Sequence, residues 1–364
     1  MKAGLMSNLY PTLAANPMRG QSRYPDVISA DASPVLALLK QCPAYAPTTL
    51  HDQEDLAAMF GVSKLWIKDE STRMNLGSFK ALGAAYVVAK MAMDAMPDGG
   101  DYSKALNGVS VLAASAGNHG LSLAAGARIF GAKATIYLSA SVPESFAERL
   151  RGIGADVIRH GEVYEDSMAL ALADSQAGKG VLISDTSWPE YQDIPRLIME
   201  GYLVMGKEAT DELDAQSQSP THIFLQAGVG GLSSAMARWC RRHYGDAPMI
   251  INVEPDEARP LQASLMAGKM IKVDGGVSIM GRLDCKEASE LAFKALSDDA
   301  DFAQVITEEE AATTTALLAS KGLGSTPSGI AGIAALQHLS DADRATLGID
   351  QNSRVLTFLS EGEA

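Results

Sequence analysis

Residues 68–86 read KDESTRMNLGSFKALGAAY, and this stretch contains the pattern from which we infer the fold. The apolar run Leu65–Lys68 predicts a short strand that ends in charged and turn-forming residues, and a helix is predicted to begin near Lys80. The small apolar run Ala81–Ala85 follows. Burial against this run and the positive end of the helix dipole would both disfavour an ammonium group, so we expect a lowered pKa for Lys80. Such a lysine can form an imine, and the alternative is a surface lysine whose alkyl chain packs along the protein.

Short apolar runs alternate with helical patterns along the rest of the chain. This alternation is typical of an α/β protein in which helices cover both faces of parallel-rich sheets. Five prolines within residues 1–45 predict an irregular segment that wraps over the body. At 364 residues the chain is long enough for two lobes around one cleft. The clearest predicted strands are Val109–Ala113, Ala134–Leu138, Thr221–Gln226, Met249–Glu254 and Val355–Leu359, and the clearest helices are Leu121–Phe130, Ile194–Leu213 and Leu232–Tyr244.

Composition and charge exclude several classes of function. The formal net charge of −14 argues against nucleic acid and anionic membrane surfaces as partners, because both favour a positively charged face. The chain has no apolar run long enough to span a membrane, and residues 1–10 lack the features of a secretory leader, so we expect a cytoplasmic protein. Cys42, Cys240 and Cys285 are far apart and form no CxxC or Cys/His pattern, which predicts ordinary cysteines, no disulfide and no metal site.

A second motif, SAGNHG at residues 115–120, lies between a predicted strand and a predicted helix. Small residues at such a turn leave backbone N–H groups free to hold an anion such as a carboxylate. The amide of Asn118 can also hydrogen-bond a phenolic or carbonyl oxygen. The alternative is a tight turn in which Ser115 or Asn118 caps the helix.

A third motif, GVGGL at residues 228–232, again separates a strand from a helix. Glycines let the backbone approach a phosphate, and the helix N-terminus stabilises its charge. A plain glycine turn is one alternative. A nicotinamide-linked oxidoreductase is another, because Gly228, Gly230, Ser233 and Glu254 partly imitate a dinucleotide fingerprint. The third glycine of that fingerprint is missing, however, and this interpretation gives Lys80 no role.

The fourth feature is Ser360, which follows the predicted terminal strand Val355–Leu359. A hydroxyl at this place can bond a ring nitrogen without forcing it to be protonated. In this order the four features resemble the pyridoxal-phosphate enzymes of fold type II, which include threonine dehydratase and tryptophan synthase β. The resemblance extends from about residue 45 to the C-terminus. It is closer to the diaminopropionate ammonia-lyases, and the stretches that carry it are residues 68–71, 79–80, 117–120, 185–191, 194–202, 220–230, 253–256, 279–283 and 360–362.

The resemblance implies a two-lobed, tryptophan synthase β-like fold with parallel-rich sheets flanked by helices. It implies a large domain formed by residues 1–84 and 196–364, which binds the cofactor, and a small mobile domain formed by residues 85–195. The implied cofactor is pyridoxal 5'-phosphate. We expect a small amino acid as the partner molecule and a homodimer as the assembly.

The resemblance also implies roles for individual residues. Lys80 would bind the cofactor as an imine, Asn118 would contact its ring oxygen and Ser360 its pyridine nitrogen. Main-chain amides of Gly228, Val229, Gly230, Gly231 and Leu232 would hold its phosphate. Ser115, Ala116 and Gly117 would bind the substrate carboxylate, with His119 beside them. Asp185 resembles an acidic residue that the ammonia-lyases place near the substrate, where it would accept the Cα proton or protonate the leaving amine; a helix cap or a salt bridge is the alternative.

The expected reaction is elimination of a β-substituent from a small amino acid, with 2,3-diaminopropionate giving pyruvate and ammonia. One departure concerns the stereochemistry, because relatives in enteric bacteria carry an aspartate where this chain has Ala116. That aspartate is the expected proton acceptor for the D-isomer, so its absence disfavours D-diaminopropionate. The alternatives are a dehydratase acting on L-serine, L-threonine or 3-hydroxyaspartate, and a catalytically silent binding protein.

Overall fold

The predicted apolar strands form two separate sheets in the computed structural model, which describes residues 11–363. Expectations for residues 1–10, including the start of the predicted large domain, lie outside the described residues. The strands are β1 (Leu13–Ala15), β2 (Leu50–Asp52), β3 (Lys64–Asp69), β4 (Ser110–Ala114), β5 (Lys133–Leu138), β6 (Asp156–Arg159), β7 (Val181–Leu182), β8 (His222–Gln226), β9 (Met249–Pro255), β10 (Phe302–Ile306) and β11 (Arg354–Leu359).

Helices cover these sheets, as the alternating pattern predicts. They are α1 (Ser33–Leu39), α2 (Glu54–Met59), α3 (Lys80–Ala95), α4 (Asn118–Ile129), α5 (Glu144–Ile153), α6 (Tyr164–Gln176), α7 (Asp193–Ala215), α8 (Gly231–Tyr244), α9 (Pro260–Ala267), α10 (Glu290–Asp299), α11 (Glu308–Ser320), α12 (Ala331–Gln337) and α13 (Asp341–Leu347). None of the helices in residues 11–363 is long and apolar enough to cross a membrane.

The larger sheet has seven strands in the order β1-β10-β9-β8-β11-β3-β2. Its five inner strands are parallel, whereas β1 and β2 pair antiparallel at the two edges. The smaller sheet, β6-β5-β4-β7, is parallel throughout. The predicted α/β class with parallel-rich sheets is therefore confirmed.

The irregular segment predicted for residues 1–45 is wrong in part. Within it, β1 pairs with β10 through Leu13 and Gln304, and α1 buries Val35 and Leu39. The prolines do not prevent a helix here, because Pro34 occupies the first turn of α1, where proline removes no helical hydrogen bond.

Close packing of α3 against α7 fixes the helix that begins at Lys80. A Cβ on Gly83 would lie 2.7 Å from the Tyr202 ring, and one on Gly201 would lie 2.8 Å from the carbonyl oxygen of Leu82. Only glycine leaves room for backbones this close, so the two helices are held in one register. Tyr202 is buried at this contact.

A buried cluster of charges holds the segment between β3 and Lys80. Arg73 donates from Nε to Glu70 at 2.7 Å and from Nη2 to Glu208 of α7 at 2.7 Å, and Lys68 donates to the same Glu208 carboxylate at 2.7 Å. The four side chains are 8% exposed or less. Two cations and two anions balance one another, which satisfies the charges that burial would otherwise penalise.

Candidate active site

Lys80 is the first residue of α3, and its side chain contacts Asp185, which follows β7 of the smaller sheet. Its Nζ donates to Oδ2 of Asp185 at 2.5 Å, and the two side chains are 21% and 20% exposed. The rings of Phe79 and Tyr202 lie with their centroids 5.3 Å and 5.8 Å from Nζ. The structure therefore brings together two predicted site residues that are 105 positions apart.

The expected lowering of the Lys80 pKa is wrong. Burial is the largest single effect and lowers the pKa, but the charge and hydrogen bond of Asp185 together with Tyr202 and Cys285 raise it, and the net shift is upward. For Asp185, burial raises the pKa and the Lys80 ammonium lowers it, with His119 adding to the lowering; the net shift is downward. Asp185 is thus ionised beside Lys80, which suits a proton acceptor rather than a proton donor.

The Ser115–Gly120 turn joins β4 to α4, as expected, and α4 begins at Asn118. Oγ of Ser115 accepts from the backbone N–H of Gly120 at 3.0 Å, so this hydroxyl stabilises the turn itself. Ala116 is exposed and Gly117 is half-buried. Gly117 precedes the helix, so the backbone N–H groups of Asn118 and His119 have no partner within the helix and can hold an anion.

His119 lies behind this turn with one nitrogen unused. Its Nε2 lies 2.7 Å from the carbonyl oxygen of Ile183, so Nε2 carries the proton and donates it. Its Nδ1 is buried without a hydrogen-bond partner in the described part of the chain.

The glycine motif joins β8 to α8 and has the backbone shape of an anion cradle. Gly230 is left-handed with φ +99°, and a Cβ there would lie 2.6 Å from Cβ of Ala292. A Cβ on Gly228 would lie 2.9 Å from the carbonyl oxygen of Arg282. The helix starts at Gly231, so its first amides point out of the helix toward this loop.

Glu254 does not have the role that the dinucleotide-binding fingerprint would give it. It is fully buried, and its two carboxylate oxygens accept from the backbone N–H groups of Leu261 and Gln262 at 2.8 Å and 2.7 Å. The carboxylate holds the start of α9 and is not available to a ribose hydroxyl.

A buried pair of serines connects the Asp185 segment to the glycine motif. The hydroxyls of Ser187 and Ser289 are 2.7 Å apart, and the backbone N–H of Ser187 donates to Oγ of Ser289 at 3.0 Å. The backbone N–H of Ser289 donates to the carbonyl oxygen of Val229 at 2.9 Å. Asp185 and the cradle are therefore held through one short chain of hydrogen bonds.

Ser360 lies at the end of β11, beside the segment that leads to Lys80. Its carbonyl oxygen accepts from the backbone N–H of Phe79 at 3.1 Å, and its own N–H donates to Gly329 at 3.0 Å. The residue is 5% exposed. These bonds place Ser360 next to the start of α3.

Sequence reasoning missed Glu361, whose carboxylate is 4% exposed. It accepts hydrogen bonds from Nδ2 of Asn118, from Nε of Arg282 at 2.8 Å and from the hydroxyl of Thr326. Burial raises the pKa of Glu361, while Arg282, Thr326 and Asn118 oppose the rise. The only local signal in the sequence is its position directly after Ser360.

Cys285 is a free cysteine that lies beside the glycine motif. A Cβ on Gly228 would lie 3.2 Å from its Sγ. Burial, followed by the charge of Asp185, raises the pKa of the thiol to about 12. The thiol is therefore protonated and lines the wall between the glycine motif and the Lys80–Asp185 pair.

These residues fit pyridoxal phosphate. The cradle of Gly228–Gly231 suits a phosphate, Lys80 supplies an amine, and the turn before α4 suits a carboxylate. No group of three or more His, Cys, Asp or Glu side chains in the described chain is arranged to hold a metal ion.

Comparisons with known proteins agree with this geometry. A family model described as pyridoxal-phosphate dependent enzyme matches residues 42–361. Diaminopropionate ammonia-lyase of Salmonella typhimurium is 35% identical over 281 residues, which are 73% of this chain and 70% of that enzyme. The Escherichia coli K12 enzyme of the same name is 32% identical over 261 residues, 69% of this chain and 66% of that enzyme. The chain thus spans about two thirds of the length of these relatives.

The likeness extends to a more distant relative and to a solved structure. Human L-serine dehydratase/L-threonine deaminase is 28% identical over 270 residues, 74% of this chain and 75% of that enzyme. The crystal structure of the Escherichia coli diaminopropionate ammonia-lyase with an aminoacrylate-PLP azomethine reaction intermediate superposes with a TM-score of 0.87. It is 27% identical in sequence, and the superposition covers 96% of this chain and 93% of that chain.

Proposed function

Because the chain belongs to the pyridoxal-phosphate-dependent enzyme family and is related to the diaminopropionate ammonia-lyases, we propose that it eliminates ammonia from 2,3-diaminopropionate. The products would be pyruvate and two molecules of ammonia. The cofactor is pyridoxal 5'-phosphate and the reaction class is elimination, so the nicotinamide alternative is set aside. The observation that supports this substrate most directly is the ion pair between Lys80 and Asp185.

When bound, pyridoxal phosphate supplies an electron sink for the charge that develops at Cα. In our proposal the backbone amides of Gly228, Val229, Gly230, Gly231 and Leu232 hold its phosphate. Lys80 holds its carbonyl carbon, while Asn118 and Ser360 face its ring oxygen and ring nitrogen. The turn of Ser115, Ala116 and Gly117 binds the substrate carboxylate, with His119 behind it.

Asp185 accounts for the preference for an amine as the leaving group. An ionised carboxylate beside Lys80 can pair with the β-ammonium of diaminopropionate, whereas the β-hydroxyl of serine carries no charge to pair. Its ionised state also suits removal of the Cα proton, either directly or by keeping Lys80 oriented for that task. The β-ammonium already carries its proton and would depart as ammonia, so the proton removed from Cα would stay on Asp185 or Lys80.

Ala116 supports a preference for the L-isomer. The turn before α4 carries Ser115, Ala116 and Gly117, none of which can accept a proton at neutral pH. Asp185 lies in a different segment from this turn, so we expect the Cα proton to be removed from one face of the substrate only.

We also propose the division into a small domain, residues 85–195, and a large domain formed by the remainder. The four-stranded sheet and the turn before α4 lie within the small domain, whereas the glycine motif and Ser360 lie in the large one. Asp185 and Lys80 would then meet across the cleft between the two domains. A cytoplasmic homodimer completes the proposal, and light scattering of the purified protein tests its mass.

The test is a screen for pyruvate and ammonia release across L- and D-2,3-diaminopropionate, L-serine, L-threonine and 3-hydroxyaspartate. We expect L-diaminopropionate to have the highest kcat/KM. Asp185→Asn should reduce it by at least about a hundredfold, because the carboxylate is lost at the reacting atoms. Asp193→Asn is the matched control, since Asp193 is an exposed acid at the start of α7. Equal effects of the two substitutions would refute the role of Asp185.

The dehydratase is the second candidate, and the uncharged Ser115–Gly117 turn favours it. A dehydratase would release pyruvate from L-serine faster than from L-diaminopropionate in the same screen. That ranking, with a small effect of Asp185→Asn, would replace the proposal.

A further inference from the structure

The carboxylate of Glu361 connects residues that come from distant parts of the chain. Asn118 begins α4 beside the smaller sheet, whereas Glu361 follows β11 of the larger sheet. Oε2 of Glu361 accepts both Nδ2 of Asn118 and Nε of Arg282, and Oε1 accepts the Thr326 hydroxyl. A buried carboxylate with this many donors has a fixed position.

The backbone of Glu361 is equally constrained, and it borders the segment that leads to Lys80. Ser78 and Glu361 form an antiparallel bridge, and the carbonyl oxygen of Glu361 accepts from the hydroxyl of Ser325 at 2.5 Å. The next residue, Gly362, donates to the carbonyl oxygen of Gly77 at 3.0 Å. Glu361 is therefore fixed relative to the start of α3.

An ionised carboxylate accepts hydrogen bonds and donates none, and this determines how the Asn118 amide is turned. Rotation of that amide by 180° would place its oxygen against the Glu361 oxygen and lose the bond. The orientation that Glu361 selects uses one hydrogen of Nδ2. In the part of the chain that the structure describes, the other hydrogen of Nδ2 has no partner and is free to donate.

We propose that Glu361 is a positioning residue that orients the Asn118 amide so that its second N–H donates to the phenolic oxygen of the bound cofactor. This inference rests on the cofactor of the proposed function and not on its amino-acid substrate. Arg282 and Thr326 keep the carboxylate in place, and Asn118 transmits its position to the cofactor.

The test compares the absorbance spectra of the cofactor-loaded wild type, Glu361→Ala, Glu361→Gln and Asn118→Ala. Donation to the phenolic oxygen sets the balance between the visible and near-ultraviolet bands of the bound cofactor. We expect Glu361→Ala to change the band ratio and to weaken cofactor binding about fivefold, the equivalent of one neutral hydrogen bond. Glu361→Gln retains an acceptor oxygen and should restore most of the wild-type spectrum.

The decisive measurement is the double variant of Glu361→Ala with Asn118→Ala. If Glu361 acts through Asn118, its removal has no further effect on the spectrum once Asn118 is absent. Thr326→Val is the control, because it removes one donor from Glu361 and leaves the bonds from Arg282 and Asn118, so it should change the spectrum much less than Glu361→Ala.

Equal spectral changes from Glu361→Ala with and without Asn118 would overturn the proposal. So would an unchanged spectrum combined with a lower unfolding temperature, since that is the result of a purely structural carboxylate. If Glu361→Ala does not fold, the spectrum of Glu361→Gln decides, because a loss of the visible band despite the retained acceptor contradicts the proposal. None of these measurements needs a substrate, so they are independent of which amino acid the screen identifies.

Discussion

Replacing Gly230 with alanine adds one methyl group at the junction between β8 and α8. The backbone there is left-handed, with φ +99°, a conformation that costs an alanine about 1–2 kcal/mol. The new Cβ would also lie 2.6 Å from Cβ of Ala292 and 2.9 Å from Cδ1 of Leu261, both well inside contact distance. Overpacking of this kind costs about 1–3 kcal/mol.

Together the two effects predict a loss of about 2–5 kcal/mol in the free energy of unfolding. For a chain of 364 residues this corresponds to a fall of about 3–7 °C in the unfolding temperature. Cofactor affinity should fall as well, because relief of the contact with Ala292 moves the amides that we assign to the phosphate. Circular dichroism of the cofactor-free protein measures the first effect, and an absorbance titration with pyridoxal phosphate measures the second.

Two other glycines separate strain from overpacking. Gly268 has φ +66°, and a Cβ added there would have no atom within 4 Å, so Gly268→Ala should show strain alone. Gly281 has neither a positive φ nor a close neighbour, so Gly281→Ala should change stability by less than about 0.5 kcal/mol. If Gly230→Ala unfolds at the same temperature as Gly268→Ala and binds the cofactor as tightly as the wild type, the close packing of this loop is refuted.

Three further experiments test contacts in and near the site. Asp185→Asn should lower the pKa of Lys80, because the carboxylate that stabilises its ammonium is lost. An acylating reagent should then label Lys80 faster in the cofactor-free protein at about pH 9, as measured by mass spectrometry. An unchanged labelling rate would contradict the ion pair. Burial raises the pKa of Glu254 to about 8, above its ordinary 4.5, so the folded protein holds this proton more tightly than the unfolded chain does. In urea unfolding, the stability of the wild type relative to Glu254→Gln should therefore fall as the pH rises from about 4.5 to 8. A rise in that relative stability would show that the two backbone donors outweigh burial. A double-mutant cycle of Ser187→Ala and Ser289→Ala should give a coupling energy of about 1 kcal/mol in urea unfolding, and additive losses would mean that the two hydroxyls do not bond.

Local patterns in the sequence are sufficient to predict most of the fold. Strands such as β8 and β11 are short apolar runs bounded by turn residues, and their burial on both faces makes the pattern plain. By contrast β10, Phe302–Ile306, is not predicted, because Gln304 interrupts its apolar run. Gln304 is buried, and its amide donates to the carbonyl oxygen of Ala335 at 3.0 Å, a partner that only the folded chain provides.

The features of the candidate site also fall into those that the local sequence predicts and those that it does not. Lys80, the turn before α4 and the glycine motif each lie at a strand-to-helix junction, which a short stretch of sequence reveals. The upward shift of the Lys80 pKa could not be foreseen, because its cause, Asp185, is 105 residues away. Sequence reasoning misses Glu361, and the place of Cys285 beside Gly228, for the same reason, since both depend on neighbours that are distant along the chain.

The antiparallel strands at the two ends of the larger sheet have a consequence for aggregation. Each is only three residues long, so either edge offers few free backbone groups to which a strand from another molecule could add. Loss of β1 would leave β10, five mostly buried residues with high β-propensity, as an open edge. A chain shortened past Ala15 should therefore form fibrils or precipitate under conditions in which the intact chain stays dispersed, even though its catalytic residues are all present.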